Sequence, residues 1–552
     1  MVSQAEQFDV TCADGIMRLL ERYGFDTIFS IPGVHTVDFY RTFPERDFRH
    51  VTPRHEQGAA FMAYGYAFAT GRPACCLLIT GPGLLNAGTG IAEAYSDSLP
   101  MLVLTASNQR AELGVGRGCL HETKSQYSIE QQIAGFSHLV LDTANVAEVL
   151  HRSISLFVTA RPRPAIIEIP RDLLAAPTRV TLETASIFHP PAPAPEAAKM
   201  AADLVAGATR PIAILGGGCR RGADAVLELV ERLGIIVVTT NAGKGVVPED
   251  HPLSLGSSLP FEPVRTLLEE ADVVLAIGTE LGETDLLYTC KPYRIPGKLI
   301  RIDIDPHQLT MNFHSSLAIL SDAGLAAKAI CKHLSWSVSD ADRADRADRA
   351  DREKIVRENK AKLAGEWSAE APKHKAILDV LAASLDRDAL ICADSTQLAY
   401  TGNHYYPSKT AGAWLFPNGY GTLGSAMPAA IGAKIGCPSR QVVAIVGDGS
   451  FLYTLEELAT AVENRIGIPI VLWNNQSYGE IKDAMKAGGI PTIGVDLYTP
   501  DFVAIARGFG CQAILIESLS QFEAELGKAL SGDVPTLLQI DADGPSFAEL
   551  AN

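Results

Sequence analysis

The sequence predicts an α/β protein of three doubly wound parallel-sheet domains, on three observations. Short apolar runs alternate with amphipathic helical patterns along most of the chain, as in parallel sheets covered by helices on both faces. Two stretches interrupt that alternation: the proline-rich "HPPAPAPEAA" (189–198) and the charged "SDADRADRADRADREK" (339–354). The 552 residues also suit three domains at the usual size of about one to two hundred residues each. The expected division is a first domain at 1–180, a linker at 181–197, a central domain at 198–335, a charged helical linker at 336–369 and a last domain at 370–552.

In the first domain "TIFSIPG", "ACCLLITGPG", "MLVLTAS" and "PAIIEIP" read as strands, and "GIMRLLERYG" and "FMAYGYAFATG" as helices. The central domain repeats the pattern with "PIAILGGG", "IIVVTT", "VVLAIGT" and "LIRIDID". Its Gly216-Gly217-Gly218 turn lacks the rest of a dinucleotide fingerprint, since Arg221 stands where a third glycine belongs, and no GK[ST] ending follows. A tight turn without ligand contact is the expectation. The charged repeat, if helical, sets Asp342 against Arg346, Asp345 against Arg349 and Asp348 against Arg352 as i,i+4 pairs on a solvated spacer. In the last domain "ALICADS", "QVVAIVGDGS", "IPIVLWNN" and "PTLLQID" are the strands and "MPAAIGAKIG" a helix.

Net charge is -17 with no block of lysines or arginines, which argues against a nucleic-acid or anionic-membrane surface. The N-terminus lacks the basic and apolar regions of a secretory signal, and no apolar run reaches the ~18 residues of a membrane span. A cytoplasmic location is expected. The ten cysteines form no CxxC pair and read as reduced, mostly buried thiols.

The chemistry concentrates in "GDGSFLYTLEELATAVENRIGIPIVLWNN" (447–475). Ligands of open parallel sheets sit at the carboxyl ends of strands. Asp448 ends one strand there and Asn475 follows the next, while the amides of Gly447, Gly449 and Ser450 would open the helix "TLEELATAVENR". Two hard oxygen ligands beside helix N-terminal amides describe a magnesium-bridged diphosphate site. Strand-end turns with simple helix caps are the alternative for each residue alone.

With GDGS and NN twenty-seven residues apart, the segment resembles the cofactor motif of thiamine-diphosphate enzymes. That resemblance implies that Asp448, Asn475 and the Ser477 carbonyl hold Mg²⁺, with Tyr478 beside them on the cofactor. "RHEQGAAFMAYGYAFATGRP" (54–73) resembles the family's pyrimidine segment and puts the activating glutamate at Glu56. "TGPGLLNAGTGIAEAYSDSLP" (80–100) matches the acetolactate synthase and pyruvate decarboxylase group, with Asn86 lining the cofactor. In "GYGTLGSAMPAAIGA" (419–433) Leu423 would bend the cofactor and the Gly421 carbonyl would accept from its amino group. "NAGKGVVPEDHPLSLG" (241–256) is similar to the family's central domain. Thiamine diphosphate serves as carbanion donor and electron sink in 2-oxo acid chemistry, and a carboxyl in an apolar cleft, as expected of Glu56, holds its proton more tightly.

Within this family the local departures bear on substrate. Val34 stands where pyruvate decarboxylases carry Asp and benzoylformate decarboxylases Ser, and Leu120-His121 where acetolactate synthases tend to carry Phe-Gln. His121 is the candidate proton donor or carboxylate guide, with His35 and His55 as weaker candidates. Glu480, Ile481 and Asp483 fall on the helix that in relatives faces the substrate side chain, and the two acids suit a cationic tail. The chain most resembles the 2-ketoarginine (5-guanidino-2-oxopentanoate) decarboxylases. An acetolactate synthase-type carboligase, a flavin-linked oxidase and a non-catalytic relative remain alternatives, as does FAD in the central domain. The resemblance further implies a homodimer or homotetramer, with Glu56 of one chain meeting Asp448 of another.

Overall fold

The computed structural model describes residues 6–182, 186–287, 289–334, 341–366 and 371–544, built around three parallel sheets. The first has six strands, in the order Arg49–Val51, Thr27–Ser30, Ala74–Leu78, Met101–Ser107, Ala165–Pro170 and Phe136–Leu139. Its four inner strands are the apolar runs legible in the sequence. The two edge strands, "RHV" and "FSHL", are short and partly polar, and so give no periodic signal. An antiparallel ribbon of Glu6–Thr11 and Pro177–Leu182 closes this unit.

Five parallel strands make the central sheet, in the order Ile236–Thr239, Pro211–Leu215, Val273–Ile277, Lys298–Asp303 and Leu317–Leu320. Its triple-glycine turn packs backbone on backbone: a Cβ at Gly216 would stand 2.1 Å from the Gly278 carbonyl oxygen, and one at Gly218 would stand 2.8 Å from Gly278 Cα. The third sheet has six, in the order Trp414–Leu415, Leu390–Ala393, Val442–Gly447, Pro469–Asn474, Thr536–Asp541 and Gln512–Leu515. Val442–Gly447 and Pro469–Asn474 are buried at every residue, the signature of central strands covered on both faces.

The linkers depart from expectation. Residues 183–185 lie outside the described residues, and a helix with Pro in its first turn already starts at Pro195. The charged repeat is helical, within Ala341–Leu363, and the part of that helix beyond the repeat packs on the central domain. Val356 and Leu363 are buried with Ile236, Val238 and Leu268 of the central domain, because Ile355, Val356 and Leu363 recur on one helical face. Arg349 pairs with Glu353 and Glu231, at 3.1 and 2.7 Å, and Arg352 donates to the carbonyls of Leu233 and Gly234. The expected acidic partners at 342 and 345, and Arg346, have side chains outside the described residues. Seven of the ten cysteines are buried, and all ten are free.

One core joins the first and third sheets, running from Met62, Tyr66 and Ile91 to Ala429, Ile431, Ile470 and Leu472. At its centre, helix Glu56–Thr70 crosses helix Ala426–Gly436 backbone against backbone. A Cβ at Gly65 would lie 1.9 Å from the Ala429 oxygen, and one at Gly432 would lie 1.9 Å from the Met62 oxygen. Gly432→Ala is expected to destabilise the protein by about 1–3 kcal/mol through forced separation of the helices. A denaturant midpoint equal to that of the parent would show that the crossing has slack.

Candidate active site

Strands Val442–Gly447 and Pro469–Asn474 pair in parallel with Gly447 opposite Trp473, so Asp448 and Asn475 emerge together at one sheet edge. Asp448 is 2% exposed, and its Oδ2 has no hydrogen-bond partner. Burial raises its pKa, against which the N–H groups of Gly449, Asn475 and Ser477 act. Asn475 donates to Gln397 Oε1 at 3.0 Å and accepts from the Ser477 N–H at 3.1 Å. Asn474 is turned to Asp541, 2.9 Å away, so Asn475 alone of the pair serves this site. An orphaned, buried carboxylate oxygen beside an amide oxygen is a donor set that suits a hard divalent cation.

The glycines here are required by contact. At Gly449 a Cβ would meet Tyr478 Cε1 at 2.7 Å and Leu497 Cδ1 at 3.0 Å, and at Gly447 it would meet Thr396 Oγ1 at 3.0 Å. The long helix expected directly after GDGS is instead a four-residue turn, Asp448–Phe451, followed by a separate helix Glu457–Glu463. Ser450 faces inward: its Oγ accepts from the Gly424 N–H at 3.0 Å, which also points at Asp394. It thereby holds the loop that carries Leu423, half-buried, and Gly421, exposed with φ +68°. Tyr478 caps the helix Gly479–Ala487.

Glu56 opens helix Glu56–Thr70 and is 9% exposed. Rather than standing alone in an apolar cleft, its Oε2 accepts from Asn86 Nδ2 at 2.9 Å. A Cβ at Gly83 would be 3.5 Å from its Oε1, so the first turn of helix Pro82–Ser96 runs close against it. His55 is the helix N-cap, accepting from the Gln57 N–H at 3.2 Å, which is a structural role.

His35 and His121, far apart in sequence, come together with ring centroids 5.5 Å apart. His35 is buried, bonded to Thr80 Oγ1 at 2.8 Å, and its pKa is lowered by burial and then by Arg171 and His121. His121 has φ +61°, and its carbonyl lies over Gly81, where a Cβ would approach it to 2.5 Å. The neighbouring Val34 and Leu120 are exposed, at 63% and 60%. Glu480 and Ile481 are exposed on helix Gly479–Ala487, and the Glu480 charge contributes to the raised pKa of Tyr400. Asp483 pairs with Lys486 at 3.3 Å.

Sequence reasoning missed several residues. Gln397, Thr396 and Asp394 follow strand Leu390–Ala393, which pairs with Val442–Gly447, so the strand-end rule applied to "ALICADS" could have found them. Asp394 is pushed up to about 6 by burial. Glu457 accepts the N–H groups of Arg54 and His55 at 3.0 Å, and burial pushes it up to about 7. Glu93, pushed up to about 9 by burial and then by Asp97, accepts the Thr422 N–H at 3.3 Å under the Leu423 loop.

Comparison with known proteins gives the family of the three domains. Residues 10–133 match the family described as thiamine pyrophosphate enzyme, N-terminal TPP binding domain; residues 198–330 match its central domain and 394–540 its C-terminal TPP binding domain. The chain is 42% identical to the probable 2-ketoarginine decarboxylase AruI of Pseudomonas aeruginosa, over 97% of this chain and 94% of the relative. It is 30% identical to a probable acetolactate synthase large subunit of Methanococcus aeolicus, over 97% and 92%. With the acetolactate synthase isozyme 1 large subunit of Escherichia coli it shares 29%, over 97% and 94%. Among the described residues no helix is long and apolar enough to cross a membrane. Gly449→Ala should push Tyr478 and Leu497 out of place and weaken thiamine diphosphate binding by about tenfold or more, equivalent to about 1.4 kcal/mol. A titration followed by thermal shift measures it, and unchanged affinity would contradict the tight fit.

Proposed function

The chain belongs to the thiamine pyrophosphate enzymes, and from that premise we propose that it catalyses non-oxidative decarboxylation of 5-guanidino-2-oxopentanoate (2-ketoarginine) to the aldehyde and carbon dioxide. The observation that carries the substrate is the 42% identity, nearly end to end, with a probable 2-ketoarginine decarboxylase, against 29–31% with acetolactate synthases. A carboligase of the acetolactate synthase type is the second reading, favoured by those latter relatives.

When bound, thiamine diphosphate supplies the carbon nucleophile and the electron sink of the reaction. The residues present fit it. Asp448, Asn475 and the Ser477 carbonyl would hold Mg²⁺ at the diphosphate end, where the orphaned Asp448 Oδ2 provides a charged ligand. Gly447, Gly449, Ser450 and Tyr478 shape that end, while Leu423 and Gly421 lie on the loop toward its middle. Glu56, steadied by Asn86, would exchange a proton with the pyrimidine ring. His121, with His35 against its ring, would deliver a proton to the decarboxylated product or orient the substrate carboxylate. Val34 and Leu120 would border the reacting end of the substrate. Glu480 would receive the guanidinium by a charge-assisted hydrogen bond, with Ile481 along the aliphatic stem. With that substrate the enzyme would serve arginine breakdown, and a cytoplasmic location is proposed with it. A flavin in the central domain is not part of this reading.

Assembly completes the site. Leu85 and Leu120 are exposed beside the Glu56 end, and Leu452, Tyr453, Ile481 and Tyr498 beside the Asp448 end, at 38–89%. Two apolar half-sites on one chain suit a second copy, so Glu56 of one protomer would face Asp448 of its partner in a dimer or a tetramer built from dimers.

Glu56→Gln should lower carbon dioxide release from 2-ketoarginine by about 10²-fold or more while the unfolding midpoint stays put. Full turnover in that variant would sink the role of Glu56, and conversion of pyruvate to acetolactate with no action on 2-ketoarginine would favour the carboligase. Glu480→Gln should raise KM for 2-ketoarginine about tenfold with little change in kcat. Mixing inactive Glu56→Gln and Asp448→Ala chains should restore about a quarter of parental activity through hybrid dimers. A site contained within one chain would restore none.

A further inference from the structure

Two buried carboxyl groups meet at the first sheet, outside the proposed cofactor ends: Thr105 stands opposite Glu168 in strand register, and Gln126 bonds both Thr105 and Glu130. Glu130 is 0% exposed on helix Gln126–Ile133, and Glu168 is 2% exposed on strand Ala165–Pro170. Two carboxylates cannot both stay ionised in such surroundings, whereas one proton held between them makes a carboxyl–carboxylate hydrogen bond. Glu130 Oε2 and Glu168 Oε2 are both buried without a hydrogen-bond partner, as suits two carboxyls that share one proton. Burial and then Glu168 push Glu130 up to about 9, and burial raises Glu168 as well. The other charged groups on the elements packed against the pair act on neither carboxyl. These are His138 on its neighbouring strand, Glu93 on helix Pro82–Ser96, Glu148, His151 and Arg152 on Val146–Thr159, and Arg171 and Asp172 beyond the strand end.

Two other polar side chains meet the pair, Ser107 at Glu168 and Gln126 at Glu130, and Gln126 leads elsewhere. Gln126 Nε2 donates to Glu130 Oε1 at 3.3 Å, to the Ala106 carbonyl at 3.0 Å and to Thr105 Oγ1 at 3.4 Å. With its nitrogen so committed, its oxygen faces the other way and accepts the Gly81 N–H at 2.8 Å. Gly81 has φ +64°, caps helix Pro82–Ser96 and lies under the His121 carbonyl. The same helix carries Asn86, which holds Glu56.

We propose that Gln126 is a positioning residue for the Glu56–Asn86 pair and the His121 loop, and that the buried Glu130–Glu168 pair fixes the direction of its amide by keeping one proton. The inference rests on the reading that Glu56 serves the cofactor. A raised carboxyl pKa means that folding takes up a proton: the contribution is full below the unfolded value and is lost as pH rises through the folded one. On the alkaline side the two carboxylates repel, Gln126 loses a partner, and the Gly81 turn is no longer held.

Glu130→Gln tests this, because its amide donates to Glu168 at any pH without titrating. In the full chain with thiamine diphosphate and Mg²⁺, the variant should match the parent within about twofold near neutrality in carbon dioxide release from 2-ketoarginine. At about pH 9.5 its kcat/KM should exceed the parent's by about threefold, and its unfolding midpoint should fall less between about pH 6 and 9. Gln126→Met, near in volume, should lower kcat about tenfold with unchanged thiamine diphosphate affinity. Superimposable pH profiles for Glu130→Gln and parent, in rate and unfolding alike, would overturn the role of the acid pair. Parental kcat in Gln126→Met would overturn the positioning role. Neither result touches the role of Glu56, which fails separately if Glu56→Gln keeps its turnover.

Discussion

The crossing of helix Glu56–Thr70 over helix Ala426–Gly436 governs how the rest of the molecule is arranged. Gly65 and Gly432 let each backbone reach the other's carbonyls, so the axes cannot slide or separate without losing contact along the central core. Glu56 stands at the start of one of these helices. Leu423 lies three residues before the other. A contact made of two missing side chains therefore sets the spacing between Glu56 and the Leu423 loop within one chain. Glu457 reinforces it by accepting the amides of Arg54 and His55, just ahead of Glu56, from the segment that follows Asp448.

Around that crossing, buried charge ties the domains together. Asp97 of the first domain accepts from Tyr64 Oη at 2.6 Å and from the Gly419 N–H at 3.4 Å, and it faces Arg220 of the central domain, which lies over the Phe68 ring at 4.2 Å. Lys244 of the central domain is buried with Glu249 at 2.8 Å and Ser257 at 3.1 Å, and the Ser257 carbonyl bonds His404 at 2.6 Å. His404 belongs to helix Gln397–Tyr405, whose first residue accepts from Asn475. Such groups are costly to bury unless fully paired, and so they fix one docking geometry among many that apolar contact alone would allow. The central domain thus supports Asn475 from behind, through helix Gln397–Tyr405.

The apolar strands, the order of the motifs and the acid and amide at 448 and 475 were legible because each is local: a run of five or six residues, or a short turn with fixed residue types. The partly polar edge strands Arg49–Val51 and Phe136–Leu139 left no such trace. Nor did the docking of the Asp-Arg repeat, whose charge pattern looks solvated until Val356 and Leu363 are seen against the central sheet. His35 and His121 were each visible as candidates, but their ring contact depends on a left-handed turn at His121 packed over Gly81.

The sequence by itself determined the family and the three sheets, since periodicity and short motifs encode those without reference to distant partners. Only the tertiary structure decided that Asn86 holds Glu56, that Ser450 serves the Leu423 loop and that Asn474 turns away to Asp541. Each of these is a hydrogen bond with one geometric solution, set by strand register and helix crossing, and composition carries no record of either.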